Sequence, residues 1–211
     1  MKVTKAQVEA NRARIVETAS HLFRERGYDG VGVAELMATA GLTHGGFYRH
    51  FASKAELLAE AAACGLGRTT SSMNDIGRDE FIGQYLSREH RDDLSGGCTL
   101  AALSGDAARQ SAAIKTTFAA GLEKILAQVL AAEDMDADPR SARAQALDTI
   151  AHALGALILS RACPDDSPLA DEILDTCRAA LLGTRQPRQT EHDCDRPAGQ
   201  PADTAPAPQQ A

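Results

Sequence analysis

The stretch Val33–Phe51, VAELMATAGLTHGGFYRHF, constrains this chain more than any other. Val33, Leu36, Met37 and Ala40 recur at helical spacing and give a short helix one buried face. Gly41 follows the last of them, where a left-handed residue lets the chain leave the helix. Thr43 stands where a side-chain oxygen caps a second helix, expected from about His44 to Phe51. Leu42, Phe47 and Phe51 anchor that helix from behind and leave His44, Gly45, Tyr48, Arg49 and His50 mostly on its other side. Two short helices around a glycine turn form a helix-turn-helix, and the second helix of such a motif fits the major groove of DNA.

The flanking segments supply what two short helices cannot bury between themselves. Residues 4–26 read as one helix, with Ile15, Ala19, Leu22 and Phe23 on one stripe. Thr4 is placed to cap it, with Gln7 as the capping-box partner, and Gly27 ends it. Tyr28 to Gly32 link it to the motif. Beyond Phe51, Ser53 and Glu56 form the S-x-x-E box of another helix, whose apolar face continues through Leu57, Leu58, Ala61 and Cys64. Lys54 falls in its first turn, where the helix dipole disfavours a cation unless it meets an anion such as a phosphate.

The remainder reads as helices without any strand signal or internal repeat, so the expected class is all-α. Residues 68–79 are polar and read as a linker or frayed helix end. Phe81, Ile82, Tyr85 and Leu86 stripe one helix to about Asp92, and Asp93 to Gly97 break the chain. Segments 98–110 and 111–132 are helical, the second with Ile114, Phe118, Leu122, Ile125 and Val129 on one face. EDMDADPR reads as an acidic loop. Segments 141–162 and 168–183 form the last two helices, lined by Leu147, Ile150, Leu154, Leu157 and Ile158, and by Ile173, Leu174, Cys177 and Leu181. From residue 184 onward Pro, Gln and Ala dominate without apolar periodicity, which predicts a disordered tail over 184–211. The expected division is therefore 1–52, 53–183 and 184–211.

A formal net charge of −7 over 211 residues argues against a DNA partner until it is divided. Residues 1–60 hold eight Lys/Arg against seven Asp/Glu, and residues 61–211 hold fourteen against twenty-two. The acidity lies outside the motif, and phosphate contact depends on the local field. Lys2, Lys5, Arg12 and Arg14 cluster at one end of this region, while Arg49 and Lys54 flank the second short helix. No apolar run reaches the length of a membrane span, and the N-terminus lacks a signal-peptide core, which predicts a cytoplasmic protein without a membrane partner. Cys64, Cys98, Cys163, Cys177 and Cys194 are odd in number and show no metal spacing, so free thiols and no metal or cofactor are expected. Paired aspartates such as Asp92-Asp93 lack a positioned partner, and no catalytic residue or enzyme activity is read from them.

The run GYDGVGVAELMATAGLTHGGFYRHFASKAELL, behind a helix ending RERG, resembles the DNA-binding domain of TetR-family transcriptional regulators over about residues 8–60. Gly32 departs from that pattern, which usually has Ser or Thr at this cap. So does Gly45-Gly46, which loosens the recognition helix by about 1 kcal/mol per glycine or admits the backbone close to DNA. The resemblance implies phosphate contacts by Thr43, Tyr48 and Lys54. It implies a base-facing group of His44, Gly45, Gly46 and Arg49, with His50 at its edge. Arg49 has the donors to read guanine O6 and N7. It further implies a homodimer through the helices at about 141–162 and 168–183, whose broad apolar faces would form a four-helix bundle. Such a dimer would act as a repressor, leaving a palindromic operator when a small-molecule effector binds among the middle helices, about 54–133. Phe81, Tyr85 and Phe118 are the only aromatic residues beyond Phe51 and, with Cys98, are the candidate ligand contacts. Cys98 follows Gly96-Gly97 and opens a helix, a setting that favours thiolate. An alternative function is therefore a thiol-based redox or electrophile-responsive protein centred on Cys98.

Overall fold

The computed structural model describes residues 4–73, 76–131 and 138–183, and every regular element among them is helical. Helix α1 spans Lys5–Arg26. The Thr4 hydroxyl accepts from the Gln7 N–H at 3.2 Å, as expected of the cap. The Gln7 amide donates to Asn11 instead of returning to the cap, so only half of the capping box forms. Gly27 closes the helix at φ 73°, its N–H on the Phe23 carbonyl. Helix α2 spans Val33–Thr39. Its exit is a Schellman turn: Leu42 N–H reaches Met37 O at 2.8 Å, Gly41 N–H reaches Ala38 O, and Gly41 sits at φ 69°.

The second helix of the motif departs from expectation. It is a 3₁₀ helix over His44–Arg49, shorter and tighter than an α-helix to Phe51. Thr43 makes no side-chain cap; its main-chain carbonyl accepts from Gly46 N–H at 2.9 Å. Gly45 and Gly46 are poor helix formers, so the short segment lacks the propensity to hold regular α geometry unaided. Phe47 and Phe51 position it by burial instead, their ring centroids 5.6 Å apart.

Helix α3 runs Lys54–Ser72. The box is displaced by one residue: Ser53 Oγ accepts from Glu56 N–H, while the Glu56 carboxylate accepts from Ala52 N–H at 2.7 Å. The polar run at 68–72, expected as a linker or frayed helix end, is the end of α3, where Thr69, Thr70 and Ser71 turn their hydroxyls onto carbonyls four residues back. The single helix expected to Asp92 is two, α4 (Arg78–Tyr85) and α5 (Arg88–Asp92). Ser87 interrupts it by capping His90 N–H at 3.1 Å. Helices α6 (Thr99–Ala107), α7 (Ala112–Ala131), α8 (Pro139–Arg161) and α9 (Pro168–Gly183) complete the described chain. Pro139 opens α8 from Asp138 as cap rather than lying in a loop. The tail over 184–211, with Cys194, and Lys2 lie outside the described residues.

One apolar core joins Ile15 and Phe23 of α1 to Leu57 of α3, Leu103 of α6, Ile114 and Phe118 of α7, and Leu157 of α8. The motif and the middle helices therefore share a core instead of meeting across a wet interface. A smaller cluster joins α4, α8 and α9 through Ile82, Leu86, Ala156, Leu174 and Leu181. The small residues Ala153 and Ala156 of α8 lie at that contact, which lets α9 approach closely.

Candidate functional site

Two places collect the residues singled out by sequence. The first is the outer face of the 3₁₀ helix. Thr43, His44, Gly45, Tyr48 and Arg49 are exposed, whereas Gly46 and His50 are half-buried. Tyr48 is 72% exposed while its neighbour Phe47 is fully buried, so alternate sides of one short turn serve solvent and core. A Cβ at Gly45 would meet nothing within 4 Å, and one at Gly46 would rest 3.6 Å from Met37. Gly45 is thus open to an approaching partner and Gly46 belongs to the packed side. The His50 carbonyl accepts from Arg12 Nε at 3.3 Å, and its buried Nδ1 has no hydrogen-bond partner.

The cations divide in a way the sequence did not announce. Arg14 and Arg49 are exposed, and Arg14 Nη2 donates to Asn11 Oδ1 at 2.7 Å. Arg12 is drawn inward: its guanidinium pairs with Glu56 and Glu60 of α3 and stacks 4.5 Å from the Phe51 ring centre. It fastens α1 to α3 at the end of the 3₁₀ helix and is not part of an open basic surface. The signal was present in Glu56 and Glu60, carboxylates one helical turn apart. Lys54 Nζ donates to the Tyr28 carbonyl at 2.7 Å and lies near the Phe23 ring. That carbonyl explains a cation in the first turn of α3 without an external anion, although two N–H groups of the ammonium remain.

The second place is an apolar cavity between α3, α4, α6, α7 and α8. Phe81, Tyr85 and Cys98 line it, together with Met73, Ile125 and Leu154. Phe118 does not; it packs in the main core. Phe81 and Tyr85 stack with centroids 5.6 Å apart, and Tyr85 meets the His90 ring at 4.7 Å. His90 donates through Nδ1 to the Tyr85 carbonyl at 2.7 Å and accepts the Cys98 N–H at Nε2, which fixes one neutral tautomer. Burial is the main cause that lowers the His90 pKa below its ordinary 6.5, against the bond to Tyr85. The Tyr85 hydroxyl is pushed up, by burial first and then by Cys98. Cys98 is buried at the N-cap of α6 and makes no side-chain cap bond. Cys64, Cys98, Cys163 and Cys177 are all free thiols.

Helix α6 runs from the cavity to the turn between α1 and α2. Its N-terminal Leu100 lines the cavity. At its other end Asp106 accepts the Tyr28 N–H at 3.0 Å, and a Cβ on Gly27 would stand 2.8 Å from the same carboxylate. The turn between α1 and α2 is therefore gripped by a residue one helix-length from the cavity. No group of metal-ligating side chains and no helix long and apolar enough to cross a membrane is found among the described residues.

These features define a helix-turn-helix protein with an attached helical domain. Residues 15–61 match the family profile described as bacterial regulatory proteins, tetR family. The HTH-type transcriptional regulator TtgR of Pseudomonas putida is 40% identical over 55 residues, 26% of each chain. The HTH-type transcriptional repressor AcnR of Corynebacterium jeikeium is 34% identical over 95 residues, 44% of this chain and 48% of that protein. The chain thus spans between about a quarter and a half of the length of the curated relatives it matches. The crystal structure of a TetR-family transcriptional regulator from Cytophaga hutchinsonii superposes with a TM-score of 0.68 at 19% identity, over 87% of this chain and 98% of that one. Residues 15–61 are thus similar to the helix-turn-helix unit of that family, and the all-α fold of the described chain is shared with the Cytophaga hutchinsonii regulator.

Proposed function

We propose that this chain is a DNA-binding transcriptional regulator, a repressor that leaves a palindromic operator when a small molecule occupies the cavity beside Tyr85 and Cys98. The observation that carries the reading is the exposed set Thr43, His44, Gly45, Tyr48 and Arg49, presented on a turn whose back is held by Phe47 and Phe51. Residues 1–52 act as the DNA-binding part and residues 53–183 as the effector and dimerisation part. Arg49 reads a base edge and Tyr48 and Thr43 hold phosphates, with Gly45 letting the backbone draw near. Lys54 adds a phosphate contact only through the donors that Tyr28 leaves unused.

One such unit touches few base pairs, so useful specificity asks for two, at half-sites roughly 34–36 Å apart. Helices α8 and α9 offer the surface for a two-fold partner: Leu159 is 60% exposed and Leu169 52%, with Leu147, Ile158 and Leu182 also exposed. Effector binding favours one arrangement of α6, and Asp106 passes that preference to the turn at Gly27-Tyr28. A ligand moves this balance only by its differential affinity for the two arrangements.

The test is a footprint with the full-length protein on DNA flanking its own gene. Protection of a near-palindrome that Arg49→Ala abolishes, with the fold unchanged by circular dichroism, supports the reading. Binding no tighter than to random duplex at physiological salt overturns it.

A further inference from the structure

A second, more polar cavity of about 300 Å³ adjoins the apolar one and shares Thr69, Ile76, Phe81, Tyr85 and Cys98 with it. Its polar wall carries Arg24 of α1 and Arg68 of α3. Arg24 is only 4% exposed. Its Nε donates to Ser95 O at 2.7 Å and its Nη1 to Ser20 Oγ at 2.6 Å, both neutral acceptors. Among the described residues no carboxylate lies within ion-pair distance of it. Asp93 attracts it from farther off while accepting the Gly96 N–H at 2.8 Å. Arg68 pairs with Glu17 at 2.5 Å, and His21 lies between the two guanidiniums, 2.8 Å from Arg68 Nη1 and 3.4 Å from Arg24 Nη2. A buried guanidinium without a counter-charge is costly to maintain. This one faces a cavity and has N–H groups to spare.

We infer that the effector is an amphipathic monoanion: an apolar body in the Phe81–Leu154 cavity and an acid group, such as a carboxylate, on Arg24. This rests on the effector-cavity reading above and names the chemistry of its ligand. The two cavities divide the work as such a molecule requires: the first is walled mostly by apolar side chains, its one arginine, Arg78, paired with Asp79 at 3.0 Å, and the second carries Arg24 and Arg68. Tyr85 and Cys98 stand at the seam, where the body meets the head. Arg24 belongs to the helix that carries the motif. Gly65 of α3 meets it so closely that a Cβ there would lie 2.8 Å from Arg24 Nη1 and 2.2 Å from Thr99 Oγ1. An anion on Arg24 therefore pulls on the junction of α1, α3 and α6, the three helices through which the motif is held.

Octanoate and 1-octanol, titrated calorimetrically into the full-length protein, separate head from body. Octanoate is expected to bind about tenfold or more tightly than 1-octanol, the worth of one hydrogen bond to a charged group. Arg24→Gln is expected to erase that difference while leaving 1-octanol binding unchanged. Arg68→Gln, at a more exposed site, gives a smaller loss and serves if Arg24→Gln does not fold. Equal affinity for the two probes in the wild-type protein overturns the inference and leaves the apolar cavity as an effector site. Retention of full octanoate affinity by folded Arg24→Gln overturns it as well. Binding of neither probe removes both the inference and the cavity reading, while the footprint on DNA stands or falls separately.

Discussion

The turn at His44–Arg49 and the junction at Arg24 treat charge in opposite ways. The turn sets Arg49 in solvent on a segment with few internal bonds, where its neighbour Phe47 supplies the anchorage. The junction buries Arg24 among α1, α3 and α6, where two hydrogen bonds to neutral oxygens hold the guanidinium in place. An exposed cation costs little and waits for a partner that brings its own charge. A buried one is tolerated only because the surrounding helices fix it, so any anion that reaches it acts on those helices too. In the proposed switch the same residue type would serve as output at one place and as input at the other.

This contrast can be broken by substitution. The largest effect is expected from Phe47→Ala, which empties a fully buried site and should cost about 3–5 kcal/mol in urea unfolding. Tyr48→Ala, one residue on, should leave stability within about 0.5 kcal/mol, as at other exposed positions. If both variants unfolded alike, the two-sided turn would be wrong. Gly65→Ala should cost about 1–3 kcal/mol by overpacking, because the added methyl group meets Thr99 and Arg24. An unchanged melting temperature would show that the junction has room to spare. Arg49→Ala should weaken operator binding by about 1–3 kcal/mol per half-site and leave the melting temperature where it was. A loss of stability instead would place Arg49 in the structure, not at the DNA.

The smallest effect concerns pH. His21 is held below its ordinary pKa of 6.5, by burial first and then by Arg24 and Arg68, and His90 is lowered as well. Both are neutral in the fold, and the unfolded chain accepts the protons the fold refuses. Their contribution is complete above pH 6.5 and is lost as pH falls through the lowered values. Urea midpoints should therefore fall below pH 6.5, with His21→Asn flattening the slope; a wild-type midpoint indifferent to pH over this range contradicts the buried environment of both rings.

The motif was readable because its signals are local. The spacing of Val33, Leu36, Met37 and Ala40, the glycine at 41 and the serine at 53 each act within a turn or two of themselves, and each is found in its expected role. Errors arose where local signals competed. The polar residues 69–71 left a linker and a frayed helix end equally open, and the structure has them as the end of α3, their hydroxyls on carbonyls of their own helix. The stripe from Phe81 to Leu86 predicts one helix to about Asp92, and the cap that Ser87 makes for His90 splits it in two. Thr43 had the right residue type for a cap and did not make one.

The long-range partners were the least legible. Phe81, Tyr85 and Cys98 meet around one cavity, while Phe118, from an equally apolar helix face, faces the core. Arg12 looked like one more member of a basic cluster until Glu56 and Glu60 came to it across 44 and 48 residues of sequence. Arg24 carried no signal beyond its place near the end of α1.

The sequence by itself determined that this chain is helical, where its helix-turn-helix lies and that Phe47 and Phe51 anchor its second helix, because periodicity and capping are properties of neighbouring residues. Only the tertiary structure decided which arginines stand exposed and which are locked against carboxylates. It also brought Arg24, Cys98 and Tyr85 to one cavity and let Asp106 of α6 grip the turn at Tyr28. A charge is valued by what surrounds it, and those surroundings are assembled from helices far apart along the chain.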